Sequence, residues 1–139
     1  MRLFDDDEFG RWWSQAEDTL RSAESDLRSG HHNWACFKCQ QAAECGMKAV
    51  LRGVGRPATG HSVLQLLEEL KTLGSPVTPE LESSARTLDR LYIPTRYPNA
   101  HAAGSPFEFY DESTSRQAMA CAQTILDFVR KEKEKCVEP

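Results

Sequence analysis

Residues 34–51 read Trp-Ala-Cys-Phe-Lys-Cys-Gln-Gln-Ala-Ala-Glu-Cys-Gly-Met-Lys-Ala-Val-Leu, and this stretch decides the fold. It holds no proline and a single glycine, and it sorts into three rows at the four-three spacing of an α-helix. One row is small (Ala35, Cys39, Ala42, Gly46, Ala49) and one is larger (Cys36, Gln40, Ala43, Met47, Val50). The third mixes polar and apolar groups (Phe37, Gln41, Glu44, Lys48, Leu51). A helix with two apolar or small faces is approached by neighbours on several sides, so this is the central helix of an all-α bundle. Its small row lets one neighbour come unusually close.

Working outward, Trp13, Ala16, Leu20, Ala23 and Leu27 predict an amphipathic helix over about 8–29, ended by Gly30, with Asn33 capping the central helix. On the other side, Gly53, Gly55, Pro57 and Gly60 break the period and predict a loop over 53–61. Ser62-Val-Leu-Gln65 has the spacing of a capping box, and Val63, Leu66, Leu67 and Leu70 predict a short helix over 62–73. Thr78-Pro79 places an N-cap before a first-turn proline, ahead of a fourth helix carried by Leu81, Ala85, Leu88 and Leu91. Ala118, Cys121, Ala122, Ile125, Leu126, Phe128 and Val129 make the last helix, capped near Ser113 to Ser115 and followed by a polar tail. No run of β-branched residues alternates with the period of a strand. The expectation is an up-and-down antiparallel bundle of about five helices, one domain over 1–139 with frayed ends at 1–7 and 132–139.

A hydrophobic fraction of 40% and a charged fraction of 27% suit a globular chain and exclude a disordered one. No apolar run approaches the roughly 18 residues that span a bilayer, and the first residues are acidic where an export signal would be basic and then apolar. A cytoplasmic protein without membrane contact is expected. The five cysteines fit that compartment as reduced thiols. Cys36, Cys39 and Cys45 share one helix, and Cys45 lies about 600° on from Cys39, so small buried hydrophobes are expected rather than a metal site. The formal charge of −4 is concentrated early: residues 1–27 hold eight acids and three bases. The remainder is near neutral, so any nucleic-acid contact is local rather than a property of the whole field.

Residues 92–112 contain Pro94, Pro98, Gly104 and Pro106 with Tyr92, Tyr97, Phe107, Phe109 and Tyr110, and show no sustained period. A loop of this length in a compact chain is usually functional. Within it stands Arg96-Tyr97-Pro98-Asn99-Ala100-His101.

Three stretches together resemble the HEPN superfamily in its small prokaryotic stand-alone form. They are Trp-Ala-Cys-Phe-Lys-Cys-Gln-Gln-Ala-Ala-Glu-Cys-Gly-Met-Lys-Ala at 34–49, His-Ser-Val-Leu-Gln-Leu-Leu at 61–67, and Leu-Asp-Arg-Leu-Tyr-Ile-Pro-Thr-Arg-Tyr-Pro-Asn-Ala-His at 88–101. The resemblance implies a helical bundle that forms a homodimer, often partnered by a minimal nucleotidyltransferase acting as antitoxin. It also implies a metal-independent endoribonuclease toxin with an Arg-x4-His motif, here Arg96 and His101, and no cofactor. Other members of the superfamily are nucleotide-binding or dimerising modules, so a non-catalytic adaptor is the alternative. RNA or a nucleotide would meet Arg96, Tyr97, Asn99 and Lys48, with Gln41, Glu44 and Lys48 as a supporting polar network. Two positions depart from the pattern. Ala103 stands where toxins controlled by adenylylation often carry tyrosine, and Asn99 where relatives with Arg-Tyr-Pro usually continue with aspartate.

The residue types suit the chemistry. Cleavage through the neighbouring 2′-hydroxyl needs a base near neutral pH and a cation on the phosphate, which histidine and arginine supply. In a twofold dimer one His101 would act as base and the other as acid. The bland reading is that Arg96 pairs locally or caps the fourth helix and His101 is a loop residue. For Glu44 and Lys48 it is an intrahelical ion pair at i, i+4. His61 is read as part of the start of helix three, and His31 and His32 as turn residues. Most of the loop aromatics are read as pinning or interface groups, with Tyr97 kept as a base-stacking platform. Trp12, Trp13 and Trp34 are read as core or interface rings.

Overall fold

The computed structural model describes residues 4–137, and every regular element among them is helical. Five α-helices run antiparallel: α1 (Asp6–Arg28), α2 (His32–Gly53), α3 (Val63–Thr72), α4 (Pro79–Asp89) and α5 (Glu112–Val137). Short 3₁₀ turns at Pro98–Ala100 and Pro106–Phe109 punctuate the connection from α4 to α5. No helix among the described residues is long and apolar enough to cross a membrane.

α2 is the axis of the bundle and packs on α1, α5, α3 and α4. Its small and larger rows are both buried, from Ala35 through Ala49 and from Cys36 through Val50. Close approach is visible at Gly46, where an added Cβ would run into Leu126 of α5 and meet Trp13 of α1 at 3.6 Å. Burial also acts on the thiols: it pushes Cys36 up to about 12, with a smaller push from Asp111, and it raises Cys39 and Cys45 as well. Neutral, close-packed thiols are what this axis holds.

The caps follow local chemistry. Ser62 accepts from the Gln65 N–H at 3.1 Å and Thr78 from the Leu81 N–H at 3.2 Å, with Pro79 in the first turn of α4. Gly30, at φ 81, closes α1, and the His31 N–H donates to the Asp26 carbonyl at 2.8 Å. Three boundaries differ from the sequence reading. α1 begins earlier, because Asp5 caps it by accepting from the Glu8 N–H at 3.0 Å. α2 is capped by His31 without a side-chain bond, while Asn33 lies inside the helix, buried, and donates to the Thr95 carbonyl at 3.1 Å. The Asn33 amide satisfies a distant buried carbonyl, which a capping role would leave unpaired. The start of α5 is held by Asp111, which accepts from both the N–H and the hydroxyl of Thr114, rather than by Ser113 to Ser115. Those two bonds draw the Asp111 carboxyl below its ordinary range. α5 continues through 132–137, with Glu132 buried; residues 1–3 and 138–139 lie outside the described residues.

Candidate functional site

The connection over 92–112 is pinned at nearly every turn. Thr95, fully buried, donates its hydroxyl to the Leu91 carbonyl at 2.6 Å and receives Asn33 from α2 on its own carbonyl. Around this anchor the chain turns, and the two motif side chains fold back on it. Arg96 donates through Nε and Nη2 to the Tyr92 carbonyl at 3.0 and 2.8 Å. Nε2 of His101 lies 2.7 Å from the Pro94 carbonyl. A carbonyl only accepts, so Nε2 carries the proton of the neutral ring and the lone pair sits on Nδ1. Among the described residues no hydrogen bond or ring contact joins the two motif side chains. Both are nevertheless fastened to backbone oxygens two residues apart in one turn.

Aromatic rings fix both groups. The Arg96 guanidinium lies 4.1 Å from the Phe37 ring centre, 4.7 Å from Tyr92 and 5.0 Å from Tyr97. Two of its nitrogens are committed to Tyr92, which leaves Nη1 as the uncommitted edge. The His101 ring stacks on Phe109 at 4.4 Å and meets Tyr110 edge-on at 6.2 Å. Burial, followed by nearby Cys36, pushes the Tyr110 hydroxyl up, so it stays protonated at neutral pH. Tyr97 is 49% exposed and Trp34 45% exposed, so their rings have open area. Asn99 is exposed within the first 3₁₀ turn.

The polar row of α2 leads to the same place. Lys48 and Glu44 are both buried and pair at 3.0 Å, and Glu44 also lies 3.3 Å from Nδ1 of His61. The Gln41 amide donates to Gln40 at 2.7 Å and to Glu44 at 3.4 Å. His61 stacks on Tyr92 at 5.0 Å, and Tyr92 holds Arg96. The ion pair and the polar network are therefore one object, running from Lys48 through Glu44, His61 and Tyr92 to Arg96. Lys48 is engaged by Glu44, and among the described residues the bonds and ring contacts that link it to the motif run through this chain.

Asp89 is a residue that periodicity missed. Its carboxylate accepts from the Ser62 hydroxyl and from the Val63 and Leu64 N–H groups at 2.9, 2.8 and 3.0 Å, closing the first turn of α3 from α4. The signal that could have drawn attention to it is its place in the 88–101 stretch, directly before the motif loop. His32, read as a turn residue, reaches α5 at Ser115 Oγ, 2.8 Å away. Among the described residues no group of three His, Cys, Asp or Glu side chains is arranged to hold a metal ion.

An antiparallel bundle around a polar-edged central helix, with a tightly folded connection before its last helix, defines a small all-α domain of the HEPN type. A family model described as the HEPN domain matches residues 9–133, and the chain belongs to that family. Solved relatives agree. TT1696 from Thermus thermophilus superposes with a TM-score of 0.87 at 41% identity, over 90% of this chain and 98% of that one. ST0689, described as an archaeal HEPN homologue, gives 0.76 at 32% identity over 89% and 96% of the two chains. The HEPN domain protein TM0613 from Thermotoga maritima gives 0.74 at 33%, over 90% and 98%. Among curated proteins none matches the chain.

Proposed function

We propose that this HEPN domain is a metal-independent endoribonuclease of the toxin–antitoxin kind, working as a cytoplasmic homodimer and neutralised by a minimal nucleotidyltransferase. The observation that carries the reading is the fastening of Arg96 and His101 to carbonyls two residues apart, with the uncommitted Nη1 and Nδ1 left for ligand. Nδ1 of His101 takes the proton from a ribose 2′-hydroxyl. The 2′-oxygen then attacks phosphorus and the bond to the 5′-oxygen breaks, leaving a 2′,3′-cyclic phosphate and a 5′-hydroxyl. Arg96 stabilises charge on the non-bridging oxygens. The leaving oxygen collects its proton from an acid, which the second copy's His101 supplies in a twofold dimer.

The test is incubation of purified protein with RNA in EDTA. Cleavage in wild type is expected to fall at least 100-fold in His101→Ala and in Arg96→Ala. Cleavage that survives both changes, or that EDTA abolishes, contradicts the reading.

The same fastening is compatible with a second reading, a non-catalytic nucleotide-binding or adaptor module docking on the transferase. Two Arg96 nitrogens already serve the Tyr92 carbonyl, which suits a fixed phosphate clamp as well as a catalytic cation. Under that reading wild type cuts no RNA, nucleotide binding survives His101→Ala with a modest loss, and Arg96→Ala removes it.

A further inference from the structure

We infer that His61, clamped by two buried side chains of α2, is the positioning residue for the Arg96 guanidinium; this rests on Arg96 being the phosphate-holding group of the function proposed above and names what keeps it in place. His61 stands in the connection between α2 and α3, and its side chain is 60% exposed. Two buried polar groups are nevertheless spent on it. Gln40, fully buried, donates its amide to the His61 carbonyl at 2.7 Å, and Glu44, also buried, lies 3.3 Å from Nδ1 of the ring. Glu44 is ion-paired with Lys48 and accepts, so Nδ1 carries the proton of that bond. Backbone and ring of one exposed residue are thus fixed separately, from neighbouring turns of α2. Starting α3 does not need the ring, because Ser62 and Asp89 already satisfy the first N–H groups of that helix.

What the fixed ring meets is Tyr92. The two rings are nearly parallel, at 17° and 5.0 Å, whereas Phe37 meets the Tyr92 ring tilted by 35° at 6.1 Å. Tyr92 bears on Arg96 twice. Its carbonyl accepts from Nε and Nη2, and its ring lies 4.7 Å from the guanidinium carbon. α4 has ended at Asp89, and the Tyr92 N–H is held by a turn bond to the Asp89 carbonyl at 3.2 Å. With so little helical bonding, the orientation of Tyr92 depends on the ring stacked against it. Freeing that ring would let the carbonyl and the aromatic face shift together and take the guanidinium with them. A cation that must meet charge developing on phosphorus is sensitive to such a shift, since misplacement by about 1 Å costs on the order of 100-fold in rate.

The experiment follows the Arg96 Nε–H in nitrogen-15 NMR spectra of the full chain, assigned by its loss in Arg96→Lys, together with steady-state cleavage of RNA in EDTA. Circular dichroism checks that His61→Ala and His61→Phe are folded; His61→Gln, which keeps a donor for Glu44 but no ring, replaces His61→Ala if that variant is not. In His61→Ala the Nε–H is expected to exchange with water roughly tenfold faster, and kcat to fall about tenfold or more with KM unchanged. His61→Phe keeps a ring against Tyr92 and should recover part of both losses. The proposal is overturned if the wild-type Nε–H exchanges too fast to observe, if its rate is the same in His61→Ala, or if His61→Phe is as impaired as His61→Ala. A rise in KM with kcat unchanged assigns the ring to ligand contact and overturns it too. If wild type cuts no RNA, the ribonuclease reading falls and the exchange rates alone decide the positioning. If wild type cuts RNA and His61→Ala cuts it equally well, the positioning falls alone.

Discussion

Asp89 sits in the last turn of α4 and commits both carboxylate oxygens to α3, where a hydroxyl and two backbone N–H groups converge on them. Asp89→Ala leaves those donors without their acceptor and removes the link between the two helices beside the motif loop. A loss of about 2 kcal/mol or more is expected in urea unfolding. Ser62→Ala removes a cap and one of the Asp89 bonds, and should cost about 1 kcal/mol. A variant of either kind with wild-type stability would show that these bonds are not holding α3. Cys36 supports a prediction in pH. Its thiol is raised from an ordinary 9.0 to about 12, so the folded state retains a proton that the unfolded chain has released. Stability is undiminished below pH 9 and falls as pH climbs from there toward about 12. Cys36→Ala should show a shallower alkaline decline than wild type, and identical slopes would refute the burial argument.

The elements show why some of the molecule can be read in the chain and some cannot. The caps at Ser62 and Thr78 are legible because donor and acceptor lie three residues apart, and the three rows of α2 because its period is local. Asn33 is misread for the opposite reason: its partner Thr95 is 62 residues away, and an asparagine at a helix start looks like a cap in isolation. The same limit applies to the site. Arg96 and His101 stand out by type and spacing, but their attachment to Tyr92 and Pro94 carbonyls depends on how the loop folds. For Glu44 and Lys48 the sequence offers both an intrahelical pair and a polar network, and only their burial in the bundle shows the pair to be part of the network. That burial has a measurable consequence for α2. Lys48→Met strands a buried carboxylate and should destabilise by about 3 kcal/mol, while adding Glu44→Gln should recover most of it. Additive losses in the double variant would contradict a coupled pair. Gly46→Val on the opposite side of α2 meets Leu126 and Trp13, and overpacking of about 1–3 kcal/mol should appear in thermal unfolding.

On the scale of the whole molecule, the bundle gathers one polar strip along an edge and leads it to the loop between α4 and α5. From Lys48 through Glu44, His61 and Tyr92 the contacts pass from buried to accessible and end at Arg96. HEPN membership explains the scaffold, and the proposed chemistry rests on what His101 would do with the lone pair on Nδ1. The most direct measurement uses an RNA cut by the wild-type protein in EDTA, prepared again with one 2′-deoxy nucleotide at the scissile position, with the product ends identified by mass spectrometry. Cleavage should vanish at that position alone, and the unmodified RNA should yield a 2′,3′-cyclic phosphate and a 5′-hydroxyl. Undiminished cleavage of the deoxy substrate, or products ending in a 5′-phosphate, would show that no 2′-hydroxyl is deprotonated here and that His101 does not play the part assigned to it.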